Sequence, residues 1–141
     1  MIKAIYPPLT SFNIQQENGK EQIFDVVRKQ WVRLTPEEWV RQNFIHFLLN
    51  NAYPASLIAV EKEIVLNDLK KRCDIIVYRN GEPWMIIECK ETNVPLTEKV
   101  VHQVLNYNQA LLVKYLLITN GTETFGLNTQ TKEALTTLPI Y

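Results

Sequence analysis

Apolar and polar residues change period several times along the chain, and each change marks an element. Residues 12–33 alternate apolar and polar, with Asn18-Gly19 between Phe12-Ile14 and Ile23-Phe24, which predicts a β-hairpin or a pair of short strands. The run Leu34-Thr35-Pro36-Glu37-Glu38-Trp39 then combines several helix-start signals. Thr35 is the N-cap, Pro36 takes the first helical position, Glu38 completes a capping box and Leu34 staples onto Trp39. Trp39, Val40, Phe44, Phe47 and Leu48 repeat at helical spacing as far as Asn50-Asn51, where the helix should stop.

Strands are predicted over residues 57–65, 73–78 and 84–90, and the first two are joined by a basic turn containing Asn67-Asp68 and Lys70-Lys71-Arg72. Asn80-Gly81-Glu82-Pro83 forms the second turn. Thr97-Glu98 opens another helix, whose apolar face is Val100, Val101, Val104, Leu105, Leu111 and Leu112. Lys99, Gln103 and Tyr107 form a separate stripe on it at four-residue spacing. Residues 115–119 read as a buried strand, Asn120-Gly121 as a turn and 122–126 as an edge strand, giving the order αβββαβ. The weakly patterned end of the chain reads as a loosely docked tail.

Composition narrows this picture. A chain of 141 residues with 46% apolar and 21% charged residues suits one domain: N-terminal strands in 1–33, a core in 34–126 and a tail in 127–141. No segment has the pattern of a signal peptide or a membrane span, so a cytoplasmic protein is expected. Cys73 and Cys89 are too few for a disulfide scaffold and, with His46 and His102, lack zinc-ligand spacing; they read as small buried hydrophobes. Fifteen basic and fifteen acidic residues balance, which removes the global basicity of many nucleic-acid binders but leaves room for a local basic rim.

The candidate chemistry lies on the hairpin of the second and third strands. A turn centred on Gly81 sets Asp74 opposite Glu88 and Cys73 opposite Cys89, with Lys90 on the same side as Glu88 by two-residue alternation. Two carboxylates about 4 Å apart repel by about 4 kcal/mol at an effective dielectric near 20. A divalent cation relieves that repulsion, and Mg²⁺ suits one or two carboxylates completed by water and a phosphate. Lys90 then suits a role at the attacking water or the developing negative charge. The competing structural reading is an Asp74–Lys90 salt bridge, with Glu88 turned to solvent at a strand end. The acidic-x-Lys pattern is itself cheap, since Asp68-Leu69-Lys70 also matches it.

Asp74, thirteen intervening residues and Glu88-Cys89-Lys90, set within αβββαβ, resemble the PD-(D/E)XK nuclease superfamily. Gln103-Val104-Leu105-Asn106-Tyr107 resembles the Q-x-x-x-Y motif of its RecB-like branch. The stretches Leu34-Thr35-Pro36-Glu37-Glu38-Trp39-Val40-Arg41-Gln42, Ile58-Ala59-Val60-Glu61-Lys62 and Tyr115-Leu116-Leu117-Ile118-Thr119-Asn120-Gly121 are similar to the amino-terminal nuclease domain of type I restriction enzyme R subunits. No proline precedes Asp74, where Cys73 stands instead.

The resemblance implies a restriction-endonuclease-like α/β fold, with a central mixed sheet flanked by helices. It implies that Asp74 and Glu88 hold Mg²⁺, or Mn²⁺ in its place, with the Cys89 carbonyl as an added ligand. Lys90 would serve water or phosphate, and Gln103 and Tyr107 would support the site or touch substrate. Helix-borne acid would come from Glu37 or Glu38; Glu37 is favoured because Glu38 is taken by the capping box. Lys70, Lys71 and Arg72, just before Asp74, and Lys99, on the stripe of Gln103, are candidate phosphate contacts, against the competing reading of a short basic turn as a solvated loop. The expected activity is hydrolysis of DNA phosphodiester bonds. The alternatives are a non-catalytic nucleic-acid-binding or assembly module working with restriction-system subunits, and a Holliday-junction-resolvase-like homodimer.

Overall fold

A computed structural model describes residues 2, 12–66, 68–109 and 112–141, with residues 66 and 107–109 described by their backbone alone. The N-terminal segment forms a three-stranded antiparallel sheet of β1 (Ile14–Glu17), β2 (Lys20–Asp25) and β3 (Gln30–Arg33). Asn18 and Gly19 both adopt positive φ, 52° and 76°, the geometry that closes a two-residue hairpin between right-twisted strands. The pattern at 12–33 predicted two strands at most. The third arises because Asp25 accepts the amide N–H groups of Val27 and Arg28 at 2.7 and 2.9 Å, folding 26–29 into a turn.

Helix α1 (Pro36–Asn50) leads by a short 3₁₀ turn, Ala55–Leu57, into β4 (Ile58–Leu66), β5 (Leu69–Arg79) and β6 (Glu82–Cys89). Helix α2 (Glu98–Gln109), β7 (Tyr115–Thr119) and β8 (Thr124–Asn128) follow. The main sheet runs β4-β5-β6-β7-β8, parallel at β6–β7 and antiparallel at its other pairings. The parallel crossover carries α2, as such a connection requires. This is the restriction-endonuclease-like αβββαβ core, a mixed sheet between helices.

Two apolar layers cover the sheet. Val40, Phe44, Ile45 and Leu48 of α1 pack on Ile58, Val60, Ile75, Val77, Met85, Ile87 and Leu117. On the other face Ile64, Cys73, Ile76, Ile86 and Leu116 pack with Val113 and, from α2, Leu105. Among the described residues no helix is long and apolar enough to cross a membrane.

The β5–β6 register places Ile75 opposite Ile87, Ile76 opposite Ile86 and Val77 opposite Met85, the alignment a Gly81-centred turn predicts. It is reached differently. The loop is Asn80-Gly81 alone, both at positive φ, and a bulge between Val77 and Tyr78 adds the extra residue.

Two expectations change here. Lys70, Lys71 and Arg72 lie within β5, which begins at Leu69, because Glu63, Ile64 and Val65 of β4 pair with them and extend the ladder. The end of the chain is docked closely on the rest. Leu135, Leu138 and Tyr141 pack on the α1-side core, and Tyr53 and Tyr141 donate their hydroxyls to the carbonyls of Pro139 and Tyr78. Gly126 makes this possible, since a Cβ there would sit 2.7 Å from Leu135 Cδ1.

Candidate active site

Where β5 leaves its neighbours, the backbone reorients an acid. The β4–β5 ladder pairs Val60 with Ile75 and Lys62 with Cys73, with no pairing for Glu61 and Asp74, and Glu61 takes φ 49°. Strict alternation would keep Cys73 on the face of Ile75. Instead Cys73 packs with Ile76 on the opposite layer, so the pleat is interrupted at Asp74. Cys73 and Cys89 consequently lie in different core layers and do not face each other; both are free thiols. Burial pushes the Cys73 thiol up to about 11 and raises that of Cys89 well above its ordinary value, so neither is a ready nucleophile.

Released from the ladder, the Asp74 carboxylate accepts the Cys89 N–H on Oδ2 at 2.8 Å and the Arg41 guanidinium on Oδ1 at 2.9 Å. Glu88, one residue before Cys89, meets it from β6. Burial raises the Glu88 carboxyl, Lys71 opposes that rise, and the charge of Asp74 together with a hydrogen bond to it raises the carboxyl further. The side chain of Glu88 is 14% exposed, and Lys71 Nζ lies 2.9 Å from its Oε1. That contact is a close, half-buried ion pair on the carboxylate.

The competing Asp74–Lys90 salt bridge is replaced by Asp74–Arg41, and Glu88 is not turned to solvent. Lys90 follows the end of β6, half-buried, with its N–H donated to the Thr119 carbonyl at 2.8 Å. Its charge is felt at Glu37. Burial and the charge of Asp74 raise the Glu37 carboxyl, while Arg41 and Lys90 counter them. Glu37 is thus placed near both Asp74 and Lys90, with its side chain 49% exposed.

Glu38 has a different role from the one expected. Thr35 Oγ1 does accept the Glu38 N–H at 3.1 Å. The Glu38 carboxylate, however, turns inward to Arg41 at 2.7 Å, Arg28 at 3.0 Å and Gln42 at 3.0 Å rather than back to the cap. The buried guanidinium of Arg41 and the half-buried one of Arg28 hold it more strongly than one exposed amide would.

Arg41 is the residue that sequence reasoning missed. Its side chain is 4% exposed and contacts Glu37, Glu38, Glu61 and Asp74 at 2.7–3.1 Å. Burial lowers its pKa, but the hydrogen bond to Asp74 and the surrounding carboxylates outweigh this and raise it. Arg28 extends the network to Asp25 and Glu38, tying the small sheet to α1. The four-residue spacing of Glu37 and Arg41 was a visible signal; the link to Asp74 had none. A cleft of about 560 Å³ opens beside the network, lined among others by Gln30, Val32, Arg33, Thr35 and Glu37.

Arg72 is 66% exposed and pairs with Glu61 at 3.2 Å. Lys99 and Gln103 are exposed on α2, and among the described residues no hydrogen bond or ion pair joins them to Asp74 or Glu88. The side chain of Tyr107 lies outside the described residues.

Among the described residues, no group of three or more His, Cys, Asp or Glu forms a metal cage. Asp74 and Glu88 fit a smaller centre, a carboxylate pair completed by water and substrate oxygen, and the half-buried Glu88 carboxyl, raised by the charge of Asp74, is consistent with it.

The fold is that of a restriction-endonuclease-like α/β domain. Residues 36–139 match the family described as Type I restriction enzyme R protein N terminus (HSDR_N), and the chain belongs to that family. A fragment of an HsdR subunit ascribed to a type I restriction enzyme from Vibrio vulnificus YJ016 has a similar fold, with TM-score 0.53 and 20% identity. That match covers 72% of this chain and 22% of the other, so this chain spans about a fifth of that relative. A candidate nuclease of DUF820 from Anabaena variabilis ATCC 29413 aligns with TM-score 0.49 and 14% identity over 86% of this chain and 78% of its own. No curated protein matches.

Proposed function

We propose that this domain is a Mg²⁺-dependent deoxyribonuclease of the PD-(D/E)XK type, acting on DNA phosphodiester bonds within a restriction system. The observation that carries this reading is the meeting of Asp74 and Glu88 from adjacent strands, beside Lys90 and Glu37. Asp74 and Glu88 would hold the metal. A divalent ion bound there would lower the pKa of a bound water and offset charge on the scissile phosphate.

The chain's own residues set up the rest. The Cys89 N–H and Arg41 orient Asp74, so it meets a ligand without rearranging. Lys90 would offer its positive charge to the attacking water or the phosphate oxygen, and its charge is felt at Glu37. Other subunits of a restriction complex are the proposed partners.

The test compares cleavage of single-stranded, duplex and branched DNA with Mg²⁺ or Mn²⁺ by the wild type, Glu88→Ala and Lys90→Ala. The wild type is expected to cut, with activity falling at least about a hundredfold in each variant. Equal products from all three would end the enzyme reading and leave a DNA-binding or assembly module.

A further inference from the structure

Glu88 has a cation at 2.9 Å, and that cation is Lys71. Both side chains are about equally hidden, 15% and 14% exposed, at the mouth of the carboxylate pair. Lys71 lies in β5 three residues before Asp74, and its strand neighbour Lys70 turns outward to Glu63. The Lys71–Glu88 contact is short, and the ammonium opposes the rise that burial imposes on the Glu88 carboxyl. The oxygen it covers is one that a metal between Asp74 and Glu88 would need.

We propose that Lys71 is an exchangeable counter-ion. It occupies Glu88 while the carboxylate pair holds no metal, and when a divalent cation takes Glu88 its ammonium is released to a phosphate of the bound nucleic-acid backbone. This rests on the metal-site reading above. Two cations cannot share one half-buried carboxylate oxygen without strong mutual repulsion. The displaced ammonium then lies beside the site, where a substrate phosphate offers it an anion in place of Glu88. Metal and nucleic acid would therefore bind cooperatively, with Lys71 carrying part of the coupling.

The experiment measures Mn²⁺ binding by calorimetry at pH 8 for the wild type, Lys71→Met, Lys71→Arg and Glu88→Gln. It also measures binding of labelled single-stranded and duplex DNA by anisotropy in Ca²⁺ and in EDTA, with circular dichroism confirming that each variant is folded. Lys71→Met is expected to bind Mn²⁺ about tenfold tighter, because the competing cation is gone. Its DNA affinity should fall about tenfold in Ca²⁺ and stay unchanged in EDTA. Lys71→Arg should keep the wild-type pattern.

Unchanged Mn²⁺ affinity in Lys71→Met, with binding abolished in Glu88→Gln, would overturn the exchange while sparing the carboxylate-pair site. Equal loss of DNA affinity in Ca²⁺ and in EDTA would overturn it too, by making Lys71 a fixed contact. No Mn²⁺ binding by the wild type would instead remove the metal-site reading and the exchange with it.

Discussion

Asp25 shows how a buried charge in this molecule is held. Burial pushes its carboxyl up, yet the Arg28 amide, the Arg28 guanidinium and the Gln42 amide donate to it and together hold it below the usual carboxylate range. A carboxyl depressed in the folded chain binds protons less readily there than when unfolded. Its stabilisation is therefore full above the unfolded value near about 3.9 and is lost as pH falls through the folded value. Asp25→Asn leaves Arg28 short of its closest partner, and it should lower the unfolding free energy by about 3 kcal/mol at neutral pH. In urea titrations the gap to wild type should narrow as pH drops below about 4; a gap independent of pH would show that the charge of Asp25 is not its source.

Arg41 follows the same logic with more partners. Arg41→Met would leave Asp74 without a guanidinium and Glu38 with that of Arg28 alone, and a loss of about 3–5 kcal/mol is expected by chemical denaturation. The meeting of the candidate pair Asp74 and Glu88 could be read from sequence because the Asn80-Gly81 turn aligns their strands. The Arg41–Asp74 contact could not, since it joins residues 33 apart on different elements and leaves no periodic trace. Which of Lys70, Lys71 and Arg72 turns inward was not legible either, because a run of three basic residues reads as a solvated turn until strand pairing sets one of them on Glu88.

Helix α1 is the element on which most of this converges. From its start it presents Glu37 to the site, Glu38 to both arginines and Arg41 to Asp74, while Val40, Phe44 and Leu48 bury its other side in the core. The rotational setting of those side chains depends on where the first turn begins, and Thr35 and Pro36 define that point. The helix start was legible because capping chemistry is local; where Glu38 points was not, because partners distant in sequence compete for it. Thr35→Ala removes the acceptor for the Glu38 N–H and should cost about 1 kcal/mol in urea unfolding, with Thr35→Ser close to wild type. Equal losses for Ala and Ser would point to the methyl group rather than the cap.

At the scale of the whole molecule, the end of the chain closes the core at the end of the sheet where the β5–β6 turn lies. Tyr141 meets Trp84 edge-to-face and Tyr53 at a tilt, with ring centroids 5.5 Å apart in each case, and Arg79 lies over both Trp84 and Tyr141. The Leu135 N–H donates to the Gly126 carbonyl at 2.9 Å, and Ala134 bridges to Leu127. Sequence pattern missed this docking because its apolar residues, Leu135, Leu138 and Tyr141, are spaced to fit a surface already formed by other elements rather than to repeat along a helix or strand. Deleting residues 134–141 removes several hydrogen bonds worth about 1 kcal/mol each and uncovers the faces of Tyr53 and Trp84. The truncated chain should unfold with about 3–5 kcal/mol less free energy. Asp74, Glu88 and Arg41 take no partner from that segment, so Mn²⁺ binding below the new transition should match that of the full chain. A truncated chain that unfolds at the same urea concentration as the full one would mean that residues 134–141 rest on the core without stabilising it. A stable truncated chain that had lost Mn²⁺ binding would place them in the function of the site instead.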